Sequence, residues 1–217
     1  MIEHFDINTK GSDYVMGDLH GCFPELERQL YELGFEEDKD RLFSVGDLVD
    51  RGLYSEYALE WLRKPFFHSV RGNHEQMAIF ASEGSIDISN YINNGGSWFL
   101  NLPVGLQKEF GAAFKKLPIL IDIVTPKGLV EIVHAECPSN DWDYLQARLE
   151  EPYSERVVDV CLWNRDRLYK NLTSTISGVK EIIVGHSVVS EDTWRGNVHY
   201  IDTGLVYGKK LTIIKIN

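Results

Sequence analysis

The sequence has no hydrophobic run long enough to cross a bilayer and no tract of low complexity. It also lacks internal repeats and any linker rich in proline, glycine or serine, so we expect a single domain over residues 1–217. The N-terminus has no basic stretch followed by an apolar core, and we therefore expect no secretory signal there. With 43% hydrophobic and 25% charged residues, the composition is typical of a soluble globular protein.

Cysteine and basic residues are both scarce. The three cysteines, at positions 22, 137 and 161, are widely spaced and form no Cys-x-x-Cys pair, which favours reduced thiols in a cytoplasm over a disulfide framework. Only 22 basic residues accompany 33 acidic ones, and the net charge is −11. Because so acidic a surface repels nucleic acid and anionic lipid, we expect neither as a partner, and any anionic substrate needs local positive charge.

The first half of the chain alternates strand and helix patterns. Strands are predicted within 14–21, 41–52 and 67–75, and helices over 24–34, over 55–64 and from 76 onward. Residues 84–118 contain helical pieces around a glycine-rich turn, which we interpret as a small subdomain beside the core. The alternation predicts an α/β fold.

The second half is richer in strand patterns. Strands are predicted at 119–124, 129–136, 181–187, 198–204 and 210–217. The first two flank a short turn at 126–128 and predict a hairpin. The polar stretch 137–180 is expected to form surface loops with one or two helices.

Five predicted strands end in the same way. In each, an apolar run stops at Asp, Asn or His, and in four of the five a glycine stands directly before that residue. Loops at the carboxyl ends of strands converge on one crevice in open α/β sheets. The candidate ligands in these loops are Asp18, His20, Asp47, Asn73, His74, His134 and His186. Oxygen and imidazole donors without thiolate suit Mn²⁺, Fe²⁺ or Zn²⁺. Seven candidates are too many for one ion, so two divalent ions sharing a carboxylate fit the number.

Three of these loops read GDLHG (17–21), GDLVDRG (46–52) and GNHE (72–75). In this order they resemble the calcineurin-like metallophosphoesterases and, within them, the phosphoprotein phosphatases. With "NNGGSWF", "HAECP", "WNRDR" and "HYIDTG", the resemblance is strongest to the bacteriophage lambda-type serine/threonine protein phosphatases and their bacterial relatives. It implies a β-sandwich of two mixed sheets flanked by helices, and a bacterial or phage-infected cytoplasm as the location.

The resemblance also implies a role for each site residue. The first ion would bind Asp18, His20 and bridging Asp47, and the second would bind Asp47, Asn73, His134 and His186. His74 would be the general acid, with Asp50 orienting it. Arg51 and Arg165, and more weakly Arg71, would bind the phosphoryl oxygens. Mn²⁺ is the expected metal, with iron and zinc as alternatives.

These groups suit hydrolysis of a phosphomonoester. Two ions can hold a water of lowered pKa for direct attack on phosphorus. Arginine offers planar, paired donors to phosphoryl oxygens, and histidine can protonate a serine alkoxide near pH 7. The predicted function is therefore a metal-dependent serine/threonine phosphatase acting on phosphoproteins or phosphopeptides, with phosphotyrosine and phosphohistidine as further possible substrates. The oligomeric state is left open.

Two other functions share these loops. A symmetrical dinucleoside-polyphosphate hydrolase is the nearest alternative, although members of that family usually lack the aspartate that stands here at Asp50. A catalytically silent phosphopeptide-binding protein would have lost ligands, and none is missing. Among single residues, Arg165 could instead form a solvated ion pair, and Trp142 and Trp163 could line a peptide groove or pack in the core. We expect segment 94–99 to pack within the subdomain rather than to contact substrate.

Overall fold

Two mixed β-sheets form the centre of the protein. The computed structural model describes residues 1–151 and 154–217. Its strands are β1 (Ile2–Phe5), β2 (Asp13–Met16), β3 (Arg41–Ser44), β4 (Phe67–Ser69), β5 (Leu120–Thr125), β6 (Gly128–Val133), β7 (Glu181–Val184), β8 (Thr193–Arg195), β9 (Val198–Tyr200) and β10 (Ile213–Lys215). One sheet has the order β1-β5-β6-β7-β9-β8 and the other β10-β2-β3-β4.

Nine helices cover these sheets in the described residues. They are α1 (Phe23–Leu33), α2 (Ala58–Trp61), α3 (Asn73–Ser82), α4 (Ile88–Asn93), α5 (Ser97–Leu100), α6 (Val104–Lys115), α7 (Trp142–Glu150), α8 (Glu155–Trp163) and α9 (Asp166–Tyr169). As predicted, α1 has Pro24 in its first turn and ends at Gly34 in the left-handed conformation. In this part of the chain, the helices are all too short or too polar to cross a membrane.

The two sheets pack face to face over a shared apolar core. Val15 and Phe43 of the four-stranded sheet lie in one buried cluster with Ile121, Ile132 and Ile183 of the six-stranded sheet. Strands β2, β3 and β4 run parallel, as do β6 and β7, so each sheet presents neighbouring carboxyl ends. This confirms the expected α/β fold of two mixed sheets flanked by helices.

Each sheet also has a helical layer on its outer face. Helices α1 to α6 pack against the four-stranded sheet, and Phe99, Phe110 and Phe114 of the 84–118 stretch belong to the same cluster as Leu26 of α1. The separation of 84–118 as a subdomain therefore stays a prediction. On the six-stranded sheet, Trp142 of α7 is fully buried, which makes it a core residue rather than part of an exposed groove.

Several elements differ from the sequence prediction. Strand β1 was not predicted, because four residues carry little pattern and its parallel partner β5 lies far away in the chain. The short edge strand β8 was missed for the same reason. Helix α3 begins at Asn73 rather than 76, because the Glu75 carboxylate accepts the Gly72 N–H and closes the first turn. The 137–180 stretch holds three helices instead of one or two, and its residues 152–153 lie outside the described part.

Candidate metal centre

The polar residues that follow β2, β3, β4, β6 and β7 lie together in one buried cluster. The structure brings together all six predicted metal ligands, each at most 6% exposed: Asp18, His20, Asp47, Asn73, His134 and His186. The first four follow strands of one sheet, and the two remaining histidines follow strands of the other. The site is therefore built where the carboxyl ends of the two sheets meet.

The backbone of these loops is unusually tight. In the described part of the chain, six non-glycine residues have positive φ, and five of them line the site: His20, Asp47, Asp50, Arg51 and His186. Such a conformation costs about 1–3 kcal/mol per residue. Backbone and side chains also approach closely, because a Cβ at Gly185 would lie 2.0 Å from Asp18 Oδ1 and one at Gly72 would lie 2.2 Å from Asp47 Oδ1. The glycines before the polar residues are needed for this approach.

Asp47 lies at the centre of the cluster. Its Oδ2 is 3.4 Å from His134 Nε2, 3.7 Å from His20 Nε2 and 3.9 Å from His74 Nε2. Burial raises the pKa of Asp47, but the imidazoles of His134 and His74 outweigh it and hold that pKa well below its usual value. Asp47 is thus an anion surrounded by imidazoles, which suits a carboxylate shared by two ions.

The histidines are oriented by backbone carbonyl groups. The Nδ1 atoms of His20 and His134 lie 2.8 and 2.7 Å from the carbonyl oxygens of Val49 and Val45. When neutral, each ring donates through Nδ1 and turns its Nε2 lone pair toward Asp47. His186 is held the other way, with Nε2 3.1 Å from the oxygen of Trp163. All three rings therefore turn their other nitrogen toward the cluster, as metal-binding histidines do.

Several hydrogen-bond acceptors lie close together in the cluster with few donors between them. His134 Nε2 lies 2.9 Å from Asn73 Oδ1 as well as close to Asp47. The pKa of Asp18 is raised well above its usual value by burial and by the neighbouring carboxylates of Asp202 and Asp47. A cation between these atoms would relieve both repulsions, so the residues fit a divalent metal.

The ligand atoms form two overlapping groups. Those of Asp47, His134 and His186 lie within 4.8 Å of one another, and so do those of His20, Asp47 and His74. Asp47 is common to both groups, in agreement with two ions sharing a carboxylate. The group with His20 contains His74 where Asp18 was expected, and Asp18 lies beside it with Oδ2 4.0 Å from His20 Nε2.

His74 is paired with Asp50 at one side of the cluster. Its Nδ1 lies 2.7 Å from Asp50 Oδ2, and both side chains are almost completely buried. The other oxygen, Oδ1, accepts hydrogen bonds from Trp98 Nε1 at 2.6 Å and from the Tyr91 hydroxyl at 3.3 Å. Trp98 belongs to the segment 94–99 for which only packing was expected. It packs there and also donates to the predicted catalytic pair.

Sequence reasoning missed two buried acids of the site. Glu75, the last residue of GNHE, accepts the backbone N–H groups of Asp47, Leu48 and Gly72 and so joins two of the loops. Burial, and next the Asp47 carboxylate, raise the pKa of Glu75 to about 7. Asp202 follows β9, and burial raises its pKa to about 6. The run "HYID" that ends at Asp202 repeats the pattern of the other strand ends and could have revealed it.

Two of the three candidate arginines lie at the cluster. Arg51 contacts His20 Nε2 through Nη1 and stands over the ring of Tyr207 at 5.8 Å. Arg165 donates to the carbonyl oxygen of His186 at 3.3 Å. Both guanidinium groups therefore border the space next to the predicted metal ligands.

The third candidate, Arg71, points elsewhere. Its guanidinium donates to the carbonyl oxygens of Lys115 and Leu117 at the end of α6 and to Gln76 Oε1. The structure does not bring it to the cluster, because these carbonyl groups at the helix C-terminus attract a cation. Trp163, whose carbonyl group holds His186, is 40% exposed and lies at the rim.

A model of the calcineurin-like phosphoesterase family matches residues 14–208. The chain belongs to this family. Salmonella typhimurium (strain LT2) has two similar proteins, serine/threonine-protein phosphatases 1 and 2. The first is 36% identical and covers 94% of this chain and 91% of its own length. The second is 35% identical and covers 100% and 99%.

Two more distant matches carry other activities in their names. The symmetrical bis(5'-nucleosyl)-tetraphosphatase of Actinobacillus pleuropneumoniae serotype 3 (strain JL03) is 23% identical over 93% of this chain and 94% of its own length. A crystal structure of a cold-active protein tyrosine phosphatase shares the fold, with a TM-score of 0.66 and 17% identity over 98% of this chain and 75% of the other. Similarity at this level shows a shared fold and does not identify the substrate of this chain.

Proposed function

We propose that this calcineurin-like phosphoesterase is a metal-dependent protein serine/threonine phosphatase. The observation that carries the proposal is the buried His74–Asp50 pair, 2.7 Å apart, with His74 Nε2 3.9 Å from the shared carboxylate of Asp47. A phosphoserine leaves as a strongly basic alkoxide, so its hydrolysis benefits from a positioned acid. The names of the Salmonella relatives support phosphoproteins or phosphopeptides as substrates.

Six residues would hold the metal ions: Asp18, His20, Asp47, Asn73, His134 and His186. Mn²⁺ is the expected metal, with iron or zinc as alternatives, because the donors are oxygen and imidazole. When bound, two such ions would supply Lewis-acid charge for the phosphoryl oxygens and lower the pKa of an attacking water. The chain would contribute the bridging carboxylate and the fixed tautomers of the histidines.

The remaining site residues would bind the substrate and move its proton. Asp50 accepts a hydrogen bond from Nδ1 of His74, so the protonated ring can give the proton on Nε2 to the leaving oxygen. Arg51 now contacts His20 Nε2, and this nitrogen has one lone pair. Binding of an ion by His20 would therefore release Arg51 toward phosphoryl oxygens, and Arg165 would bind them from the opposite loop.

The wider setting stays as proposed from the sequence. We propose one catalytic domain over residues 1–217. We also propose a phosphorylated protein rather than a nucleic acid as the partner, because the net charge is −11 and the arginines at the site are local. The three cysteines are free thiols, which agrees with a cytoplasmic location. A bacterial or phage-infected cytoplasm remains our expectation.

The competing function is hydrolysis of a symmetrical dinucleoside polyphosphate, as the name of the 23% identical relative indicates. The test compares metal-loaded protein on a phosphoserine peptide and on diadenosine tetraphosphate at equal concentration. We expect kcat/KM to be at least about 100-fold higher for the peptide, a difference that a dedicated site readily supplies. The reverse preference would favour the nucleotide hydrolase, and no turnover of either would indicate a silent phosphopeptide-binding protein.

A further inference from the structure

The Asp50 carboxylate is the acceptor of three side-chain contacts, and only one of them involves His74. Oδ2 faces His74 Nδ1, while Oδ1 accepts from Trp98 Nε1 at 2.6 Å and from the Tyr91 hydroxyl at 3.3 Å. Asp50 and Tyr91 are both 0% exposed. Since a buried carboxylate gains most from hydrogen bonds that are fully formed, each of these donors matters for the orientation of Asp50.

The turn between α4 and α5 is built against this carboxylate and its neighbour. Gly95 has a φ of +97°, and a Cβ there would lie 2.5 Å from the backbone nitrogen of Arg51. A Cβ at Gly96 would lie 2.4 Å from the ring of Tyr91. Gly95 therefore allows the turn to approach the loop that carries Asp50 and Arg51, and Gly96 allows it to pack on the ring of Tyr91.

Trp98 is fixed by packing as well as by its hydrogen bond. Its ring makes edge-to-face contacts with Phe99 at 5.6 Å and Phe110 at 5.2 Å between centroids. The indole N–H of Trp98 binds Asp50 Oδ1. This hydrogen bond limits rotation of the carboxylate and keeps Oδ2 directed toward His74. The segment thus does more than fill space.

We propose that Trp98, assisted by Tyr91, is a positioning residue that holds Asp50 in the orientation needed by His74. The inference rests on the proposed phosphatase function, in which His74 protonates the leaving group. Loss of the Trp98 donor would let the carboxylate turn toward other partners and weaken its hold on the imidazole. The rate of leaving-group protonation would then fall, while binding of the phosphoryl group would be unchanged.

The test compares Trp98→Phe and Tyr91→Phe with Phe114→Leu as the matched control. Phe114 is buried in the same cluster and packs on Phe110, and its ring has no donor for Asp50. The readouts are kcat and KM of metal-loaded protein on a phosphoserine peptide, whose leaving group needs a proton, and on p-nitrophenyl phosphate, whose leaving group does not. Thermal unfolding of each variant is measured alongside.

For Trp98→Phe we expect roughly a tenfold loss of kcat on the phosphoserine peptide, a part of the 10²–10⁴-fold that an acid contributes. The loss on p-nitrophenyl phosphate should be about threefold or less, with KM little changed on both. Phe114→Leu should lower the unfolding temperature without changing the ratio of the two activities. In a His74→Asn background, Trp98→Phe should change the ratio no further, because the acid is already absent.

Equal losses of Trp98→Phe on both substrates, or the same change of ratio in Phe114→Leu, would overturn the inference while leaving the phosphatase function intact. If Trp98→Phe does not fold, Tyr91→Phe removes a single hydroxyl and should show the same asymmetry at a smaller size. An unchanged ratio in that variant would then overturn the inference. A wild-type protein that hydrolyses neither substrate would instead contradict the proposed function, and the inference would fall with it.

Discussion

Two regions meet at Asp50 and differ in the groups they contribute. The strand-end loops bring charged and lone-pair-bearing atoms, such as Asp47 and the imidazoles of His20 and His134, into one buried cluster. The α4–α5 segment brings neutral donors on aromatic rings, Tyr91 and Trp98. The first set suits the binding of cations, and the second can only orient an anion. The difference separates the handling of the phosphoryl group from the handling of the leaving group, and variants can test this.

Removal of metal should cause the largest loss of activity, because all of the strand-end loops are proposed to act through the bound ions. After treatment with a chelator and buffer exchange, we expect activity on every substrate to fall to background and to return best with Mn²⁺. The measurement is initial rate against added divalent ion. Full activity in metal-free buffer would contradict the assignment of the six ligands.

His74→Asn should have the next largest effect and a different character. We expect kcat on phosphoserine peptides to fall about 10²–10⁴-fold, and kcat on p-nitrophenyl phosphate to fall distinctly less. Both ions should still bind, as measured by metal analysis after gel filtration. Similar losses on the two substrates, or loss of one ion, would mean that His74 belongs with the ligands in its group with His20 and Asp47.

Arg51→Ala should lower kcat/KM by a similar factor on both substrates, because they share the phosphoryl group that the guanidinium binds. We expect a loss of about tenfold to 100-fold, the size of one or two charge-assisted hydrogen bonds. Arg71→Ala is the matched control, since its guanidinium binds carbonyl groups at the end of α6. A larger loss in Arg71→Ala than in Arg51→Ala would reverse the assignment of the two arginines.

The smallest effect is expected from Gly95→Ala, which probes the contact between the two regions. Gly95 and Gly84 both have positive φ, at +97° and +71°, so alanine strains the backbone at either position. Only at Gly95 would the added Cβ meet the backbone of Arg51, whereas nothing lies within 4 Å of it at Gly84. We expect a several-fold loss of kcat for Gly95→Ala and none for Gly84→Ala. Equal activities would show that the segment tolerates displacement from the loop.

The strand-end loops could be predicted from the sequence because their signal is local. Each apolar run marks a strand, and the polar residue after it must lie at the sheet edge, as Asp18, Asp47 and Asn73 do. Asp202 carries the same signal and was overlooked. The two-sheet fold was likewise predictable through the resemblance that these loops carry.

The hydrogen bonds of the α4–α5 segment could not be predicted in this way. Trp98 lies 48 residues from Asp50 in the chain and reaches it only through tertiary packing, so no spacing or periodicity in the sequence marks the contact. Arg71 shows the opposite case. It is next to the GNHE loop in sequence, yet its side chain leaves the site for carbonyl groups of α6.

The most direct test of the account is a crystal structure of the Mn²⁺-loaded protein with anomalous diffraction data. The account predicts two anomalous peaks about 3.5–4 Å apart, the usual separation in two-metal sites. Asp47 should lie between them, His20 and Asp18 should bind one ion, and Asn73, His134 and His186 should bind the other. A single peak, or two peaks that do not share Asp47, would contradict it.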